Sequence, residues 1–76
     1  MNGRDFCEIL ADEVNMDYDV CRGLYKGFCN TVEENLLCGF DVCIDKIGRL
    51  KVKEGKLCFK PSILLQDKLK EVYKAV

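Results

Sequence analysis

Apolar residues recur along the chain with two different periods, and the change of period divides it. Near the N-terminus Phe6, Ile9, Leu10 and Val14 fall on one helical face, with Cys7 alongside. Asn2 stands where an N-cap belongs, and Asp5 three residues on makes an imperfect capping box. A first helix is predicted over about 3–14. Asn15-Met16-Asp17 breaks the pattern, and Asp17 suits the cap of the next element. Cys21, Leu24, Tyr25, Phe28, Val32 and Leu36 then recur at steps of three and four, which predicts a long second helix over about 18–37 with a broad apolar stripe. Gly39 occupies the place of a helix C′ residue.

Beyond Gly39 the period falls to two. Val42 and Ile44 alternate with polar neighbours, as do Leu50 and Val52, and Leu57 and Phe59. Strands are predicted at about 41–46, 49–54 and 56–60. Lys46 to Gly48 forms the first turn, and Glu54-Gly55 is a tight hairpin signal. Pro61 ends the third strand. Ser62 can cap a last helix over about 62–75 carrying Leu64, Leu65, Leu69, Val72 and Tyr73. The fold class is therefore α+β, in the order α-α-β-β-β-α, as one domain over residues 1–76. A sheet with one apolar face must lie over helices. The second-helix stripe is wider than one small sheet requires, and Phe6, Tyr25, Phe28 and Phe40 add further apolar surface. A dimer of intertwined chains buries the excess. Phe6, Leu24, Tyr25, Phe28, Val32, Leu36, Val42, Ile44, Leu50, Val52 and Phe59 are the expected core and dimer residues.

Composition narrows the function. The chain has 76 residues, 12 Lys+Arg, 13 Asp+Glu and no His. Ser62 and Thr31 are its only hydroxyl nucleophiles apart from tyrosine. Neither a Ser-His nor a Cys-His pair can be assembled, so no enzyme and no cofactor are expected. The six cysteines contain no CxxC, and a zinc site would need four thiolates at unfamiliar spacings, so no metal is expected. Arg4, Asp5, Glu8, Asp12 and Glu13 leave no apolar signal segment near Met1, and no run approaches a membrane span. These features point to a reducing, cytoplasmic setting with reduced cysteines packed as small hydrophobes. A chain this short needs a staple, and a second subunit fits that need better than disulfides do.

Met1-Asn2, Phe6, Leu10, Ala11, Phe28, Gly39, Val42, Ile44, Gly48, Leu50, Val52 and Glu54, followed by Phe59-Lys60-Pro61, Leu65, Asp67 and Leu69, together resemble the HU / integration host factor family of bacterial architectural proteins. The resemblance covers nearly the whole chain. It implies an intertwined dimer, with a homologous or identical partner chain, whose sheet forms a saddle for DNA. The departures are equally specific. The family's long basic β-ribbon arm, with a proline at its tip, is replaced here by the Gly55 hairpin. Family lysines at the start of the last helix align with Ile63 and Gln66, and one near the N-terminus aligns with Gly3. The glycine and phenylalanine of the family's turn read Lys46 and Ile47.

The strongest chemical signal is the outward row Arg49, Lys51 and Lys53, extended by Lys56 and Lys60. On the family's saddle these cations would meet phosphates; Asp41 and Asp45 on the neighbouring strand would weaken the field. As an ordinary solvated edge, the same row would discourage aggregation. Ile63 and Gln66, in place of lysines, look instead like a protein contact. The leading expectation is a non-enzymatic structural module, specifically a bacteriophage virion component of the neck, collar or tail that binds neighbouring structural proteins. The alternatives are a weak architectural DNA-binding protein using the saddle, and a dominant-negative partner of a host HU chain.

Overall fold

A computed structural model of the chain describes residues 1–74. Its elements are α1 (Gly3–Glu13), α2 (Tyr18–Leu37), β1 (Val42–Ile44), β2 (Gly48–Lys53), β3 (Lys56–Pro61) and α3 (Ile63–Tyr73). Order and class are those expected. The chain divides into two compact units, Met1–Glu33 and the part from Glu34 onward.

In the first unit, Asn2 caps α1: its side-chain oxygen accepts from the Asp5 N–H at 2.9 Å. The helix ends in a Schellman arrangement. Met16 N–H donates to the Ala11 carbonyl at 2.9 Å and Asn15 N–H to that of Asp12 at 3.3 Å. Asn15 takes the left-handed conformation this requires, at φ 53°, one that asparagine tolerates better than most residues.

The packing face of α1 differs from the expected one. The buried hydrophobic side chains among the described residues are Cys7, Ala11 and Cys21, with Leu10, Tyr18 and Tyr25 packed against them. Gly3, Cys7 and Ala11 follow at intervals of four, so a line of small residues faces α2. A Cβ on Gly3 would lie 3.4 Å from the Tyr25 ring, which shows how closely the two helices approach. Phe6 leans over the edge of this contact, its ring centroid 5.5 Å from that of Tyr25, and stays exposed together with Ile9 and Val14. Large side chains would hold the helices apart; small ones let the backbones approach.

In the second unit, α2 ends in another Schellman arrangement. Phe40 N–H donates to the Asn35 carbonyl at 2.9 Å and Gly39 N–H to that of Leu36 at 3.0 Å, with Gly39 at φ 85°. The strands form one antiparallel sheet in the order β1-β2-β3. β1 is shorter than predicted, because Asp41 precedes the ladder and Asp45-Lys46 already turn, with Lys46 at φ 70°. β2 begins one residue earlier than expected, at Gly48. β3 includes Pro61, which closes the ladder opposite Gly48 without needing an N–H there. Ser62 caps α3, its Oγ accepting from the Leu65 N–H at 3.4 Å, and its own N–H ties to the Ile47 carbonyl at 2.9 Å. The last helix starts at Ile63 and is described to Tyr73, with Lys74 as its cap; the predicted end at Ala75 lies outside the described residues.

Val42, Ile44, Leu50, Val52, Leu57 and Phe59 share one sheet face through the pairs Val42↔Leu50, Leu50↔Phe59 and Val52↔Leu57, as the alternation required. Their burial is much lower than expected of a core. Val52, Leu57 and Phe59 are exposed, and Val42, Ile44 and Leu50 half-buried. On α2, Leu24 and Phe28 are exposed, and Tyr25, Val32 and Leu36 half-buried. A single chain therefore leaves most of its expected core open.

Candidate nucleic-acid interface

The opposite sheet face collects the cations. Arg49, Lys51 and Lys53 alternate along the central strand β2; Lys56 and Lys60 alternate along β3. The register sets Arg49 directly across from Lys60 and Lys53 directly across from Lys56, with Lys51 across from Cys58. All five predicted cations thus come together on one surface. Lys51 at its centre is half-buried and the other four are exposed. Among the described residues the one side-chain ion pair is Lys74–Glu71 at 3.9 Å, an exposed pair on α3. None of the five sheet cations forms an ion pair with a carboxylate of the described residues, and Asp41 and Asp45 both lie outside the ladder.

Two tight backbone features hold this surface. Gly48 opens β2 at φ 152°, and a Cβ there would sit 2.5 Å from the Lys60 carbonyl oxygen and 2.8 Å from the Phe59 ring. The absent side chain lets β2 and β3 meet where Arg49 faces Lys60. At the other end, Glu54 and Gly55 both have positive φ, 54° and 76°, the geometry of a two-residue type I′ turn. The hairpin closes at once after Lys53↔Lys56, and no ribbon extends beyond it.

Beside the Arg49–Lys60 pair lies an open cleft of about 390 Å³, lined in part by Lys46, Arg49, Lys60 and Ser62, with Asp45 the acidic residue in it. The sequence had flagged the cations but not this concavity, which exists because Gly48 and Pro61 bring the two strand ends and the start of α3 together. Cys43 and Cys58 share the cation face, a position readable from their alternation with Val42 and Phe59. Ile63 and Gln66 lie in the first turns of α3 and are both exposed.

No group on this face is arranged as a nucleophile–base pair, and no cluster of three or more potential metal ligands occurs among the described residues. No described helix is long and apolar enough to cross a membrane. The surface offers point charges and guanidinium donors on a twisted sheet, which is chemistry for holding anions by their oxygens.

No protein-family model and no curated protein sequence matches the chain. Solved structures do. HU from Thermotoga maritima is similar at 24% identity and a TM-score of 0.83, over 92% of this chain and 100% of that one. A mutant of the same HU is similar at 22% identity and a TM-score of 0.86, with the same coverage. The chain has the HU fold.

Proposed function

We propose that two such chains pair through their open apolar faces, and that the pair is a non-enzymatic architectural module whose cationic sheet face rests on the phosphate backbone of DNA. Exposed apolar side chains support the pairing: Leu24 and Phe28 on α2, and Val52, Leu57 and Phe59 on the sheet, are each at least 41% exposed in a single chain.

The observation that carries the DNA reading is the like-charge register. Arg49 opposite Lys60, and Lys53 opposite Lys56, each cost stability in the isolated sheet. Protection of an exposed edge accounts for Lys51 and Lys53, which lie beyond the Val42↔Leu50 end of the β1 ladder, but not for Arg49, which pairs with Cys43 on one side and Lys60 on the other. A polyanion laid across the face relieves the repulsion. This reverses the order of readings that Ile63 and Gln66 favoured from the sequence.

Without an arm, each chain engages only the phosphates its sheet reaches, and each neutralised phosphate contributes about −0.9 to the slope of log affinity against log salt. The test is fluorescence anisotropy with a labelled duplex at two salt concentrations. Binding should weaken with salt, and Lys51→Glu/Lys53→Glu should abolish it. No binding at low salt, or binding that ignores salt, refutes the reading.

A second reading rests on Ile63, which is 75% exposed at the start of α3. It is a protein-docking module, such as a bacteriophage neck, collar or tail component or a partner of a host HU chain. A complex with such a protein that survives high salt and fails with Ile63→Lys would favour it.

A further inference from the structure

Cys7 and Cys21 are the most deeply buried side chains among the described residues, 0% and 2% exposed. One belongs to α1 and the other to α2, and they share a cluster with Ala11. Both thiols are free, and DNA docking makes no use of them. Gly3 and Ala11 flank Cys7 on the same helical face, which keeps the helices close where the two thiols meet. Burial pushes the Cys21 thiol up, and Cys7 beside it adds to the effect. Cys29, Cys38, Cys43 and Cys58 are exposed by contrast.

We propose that Cys7 and Cys21 are a dithiol switch, closing to a reversible disulfide that staples α1 to α2 when the chain meets a disulfide oxidant of the oxidised-glutathione type. One cysteine attacks a sulfur of the oxidant and expels one reduced glutathione. The second attacks the resulting mixed disulfide and expels the other. Two protein thiols lose two electrons, the oxidant gains them, and the two thiol protons end on the departing glutathiones. Because the pair is sealed, exchange waits on α1 lifting from α2, so the reaction is slow in both directions. The closed loop spans about 15 residues, for which the entropy removed from the unfolded chain raises the folding equilibrium constant by roughly a hundredfold.

The experiment treats the full chain with oxidised glutathione, quenches it in acid, alkylates remaining thiols in denaturant and maps the peptides. The expected product joins the peptides of Cys7 and Cys21, and the oxidised protein unfolds at higher denaturant than the reduced one. A variant carrying Cys29→Ser, Cys38→Ser, Cys43→Ser and Cys58→Ser should still form the cross-link, and Cys7→Ala or Cys21→Ala should lose it. Glutathione found only on the four exposed cysteines, with Cys7 and Cys21 both alkylated, overturns the proposal. So does a cross-link of either residue to one of those four. Wild-type mapping decides the matter even where a variant does not fold.

Discussion

Replacing Gly48 by alanine tests how the cationic face is held in place. Two costs combine at this position. Its φ of 152° belongs to a region that residues with a side chain occupy only under strain, worth about 1–3 kcal/mol. The new Cβ also meets the Lys60 carbonyl oxygen at 2.5 Å and two atoms of the Phe59 ring at 2.8 and 2.9 Å. The ring can turn aside, but the carbonyl belongs to a residue paired with Arg49 in the ladder, so relief requires spreading β2 from β3. Overpacking of that kind adds about 1–3 kcal/mol. The expected total of about 3–5 kcal/mol is a large share of the stability of a domain this small. Gly55→Ala is the internal control. That residue also has positive φ, 76°, but nothing lies within 4 Å of the added Cβ, so only the conformational penalty of about 1–2 kcal/mol applies. Urea unfolding followed by circular dichroism, with all variants at one protein concentration, measures both. Gly48→Ala should lose at least about 1 kcal/mol more than Gly55→Ala, the difference that overpacking supplies. Equal losses would show that the β2–β3 contact is not the tight one described.

Other predictions follow from single features. Glu54 sits at φ 54° in a turn position that asparagine occupies more readily, so Glu54→Asn should raise stability by about 0.5–1 kcal/mol in the same urea assay. Lys56→Glu turns a like-charge pair with Lys53 into an attractive one. It should stabilise the sheet by about 0.2–1 kcal/mol while weakening duplex binding, and a change of the same sign in both assays would refute this opposition between repulsion and docking. If the open apolar faces are covered by a second chain, the thermal midpoint must rise with protein concentration; a midpoint constant over a hundredfold range of concentration refutes the pairing. The Cys21 thiol stands above its ordinary value of 9.0, chiefly through burial. An acid held neutral in the fold contributes fully below its unfolded-state value and loses that contribution as pH rises toward the folded one. Stability should therefore fall from about pH 9 upward, and Cys21→Ala should flatten that part of the profile.

Much of the fold was legible because its signals are local. The two periods located every helix and strand. Asn2, Gly39 and Ser62 marked termini through hydrogen bonds that span only a few residues, and Glu54-Gly55 marked the hairpin through backbone conformations within the turn. Alternation alone put Arg49, Lys51, Lys53, Lys56 and Lys60 on one side of their strands, since side chains in a strand must point alternately to opposite faces. The errors arose where a property depends on what lies opposite. The spacing of α1 marks Phe6, Ile9 and Val14 as part of its packing face, but they stay exposed and the contact with α2 is made by Gly3, Cys7 and Ala11, because close helix packing depends on backbone approach rather than on hydrophobicity summed along one helix.

The sequence by itself determined the order of the elements, their approximate bounds and the division of the sheet into an apolar and a cationic face. Only the tertiary structure decided the cross-strand register, and with it the opposition of Arg49 to Lys60 and Lys53 to Lys56. It alone showed that Gly48 is needed for lack of space as much as for its φ, and that Leu24, Phe28 and Phe59 stay uncovered in a single chain. Register and burial are relations between segments distant in sequence. Their energies come from atoms brought into contact by folding, which no local pattern of residues can specify.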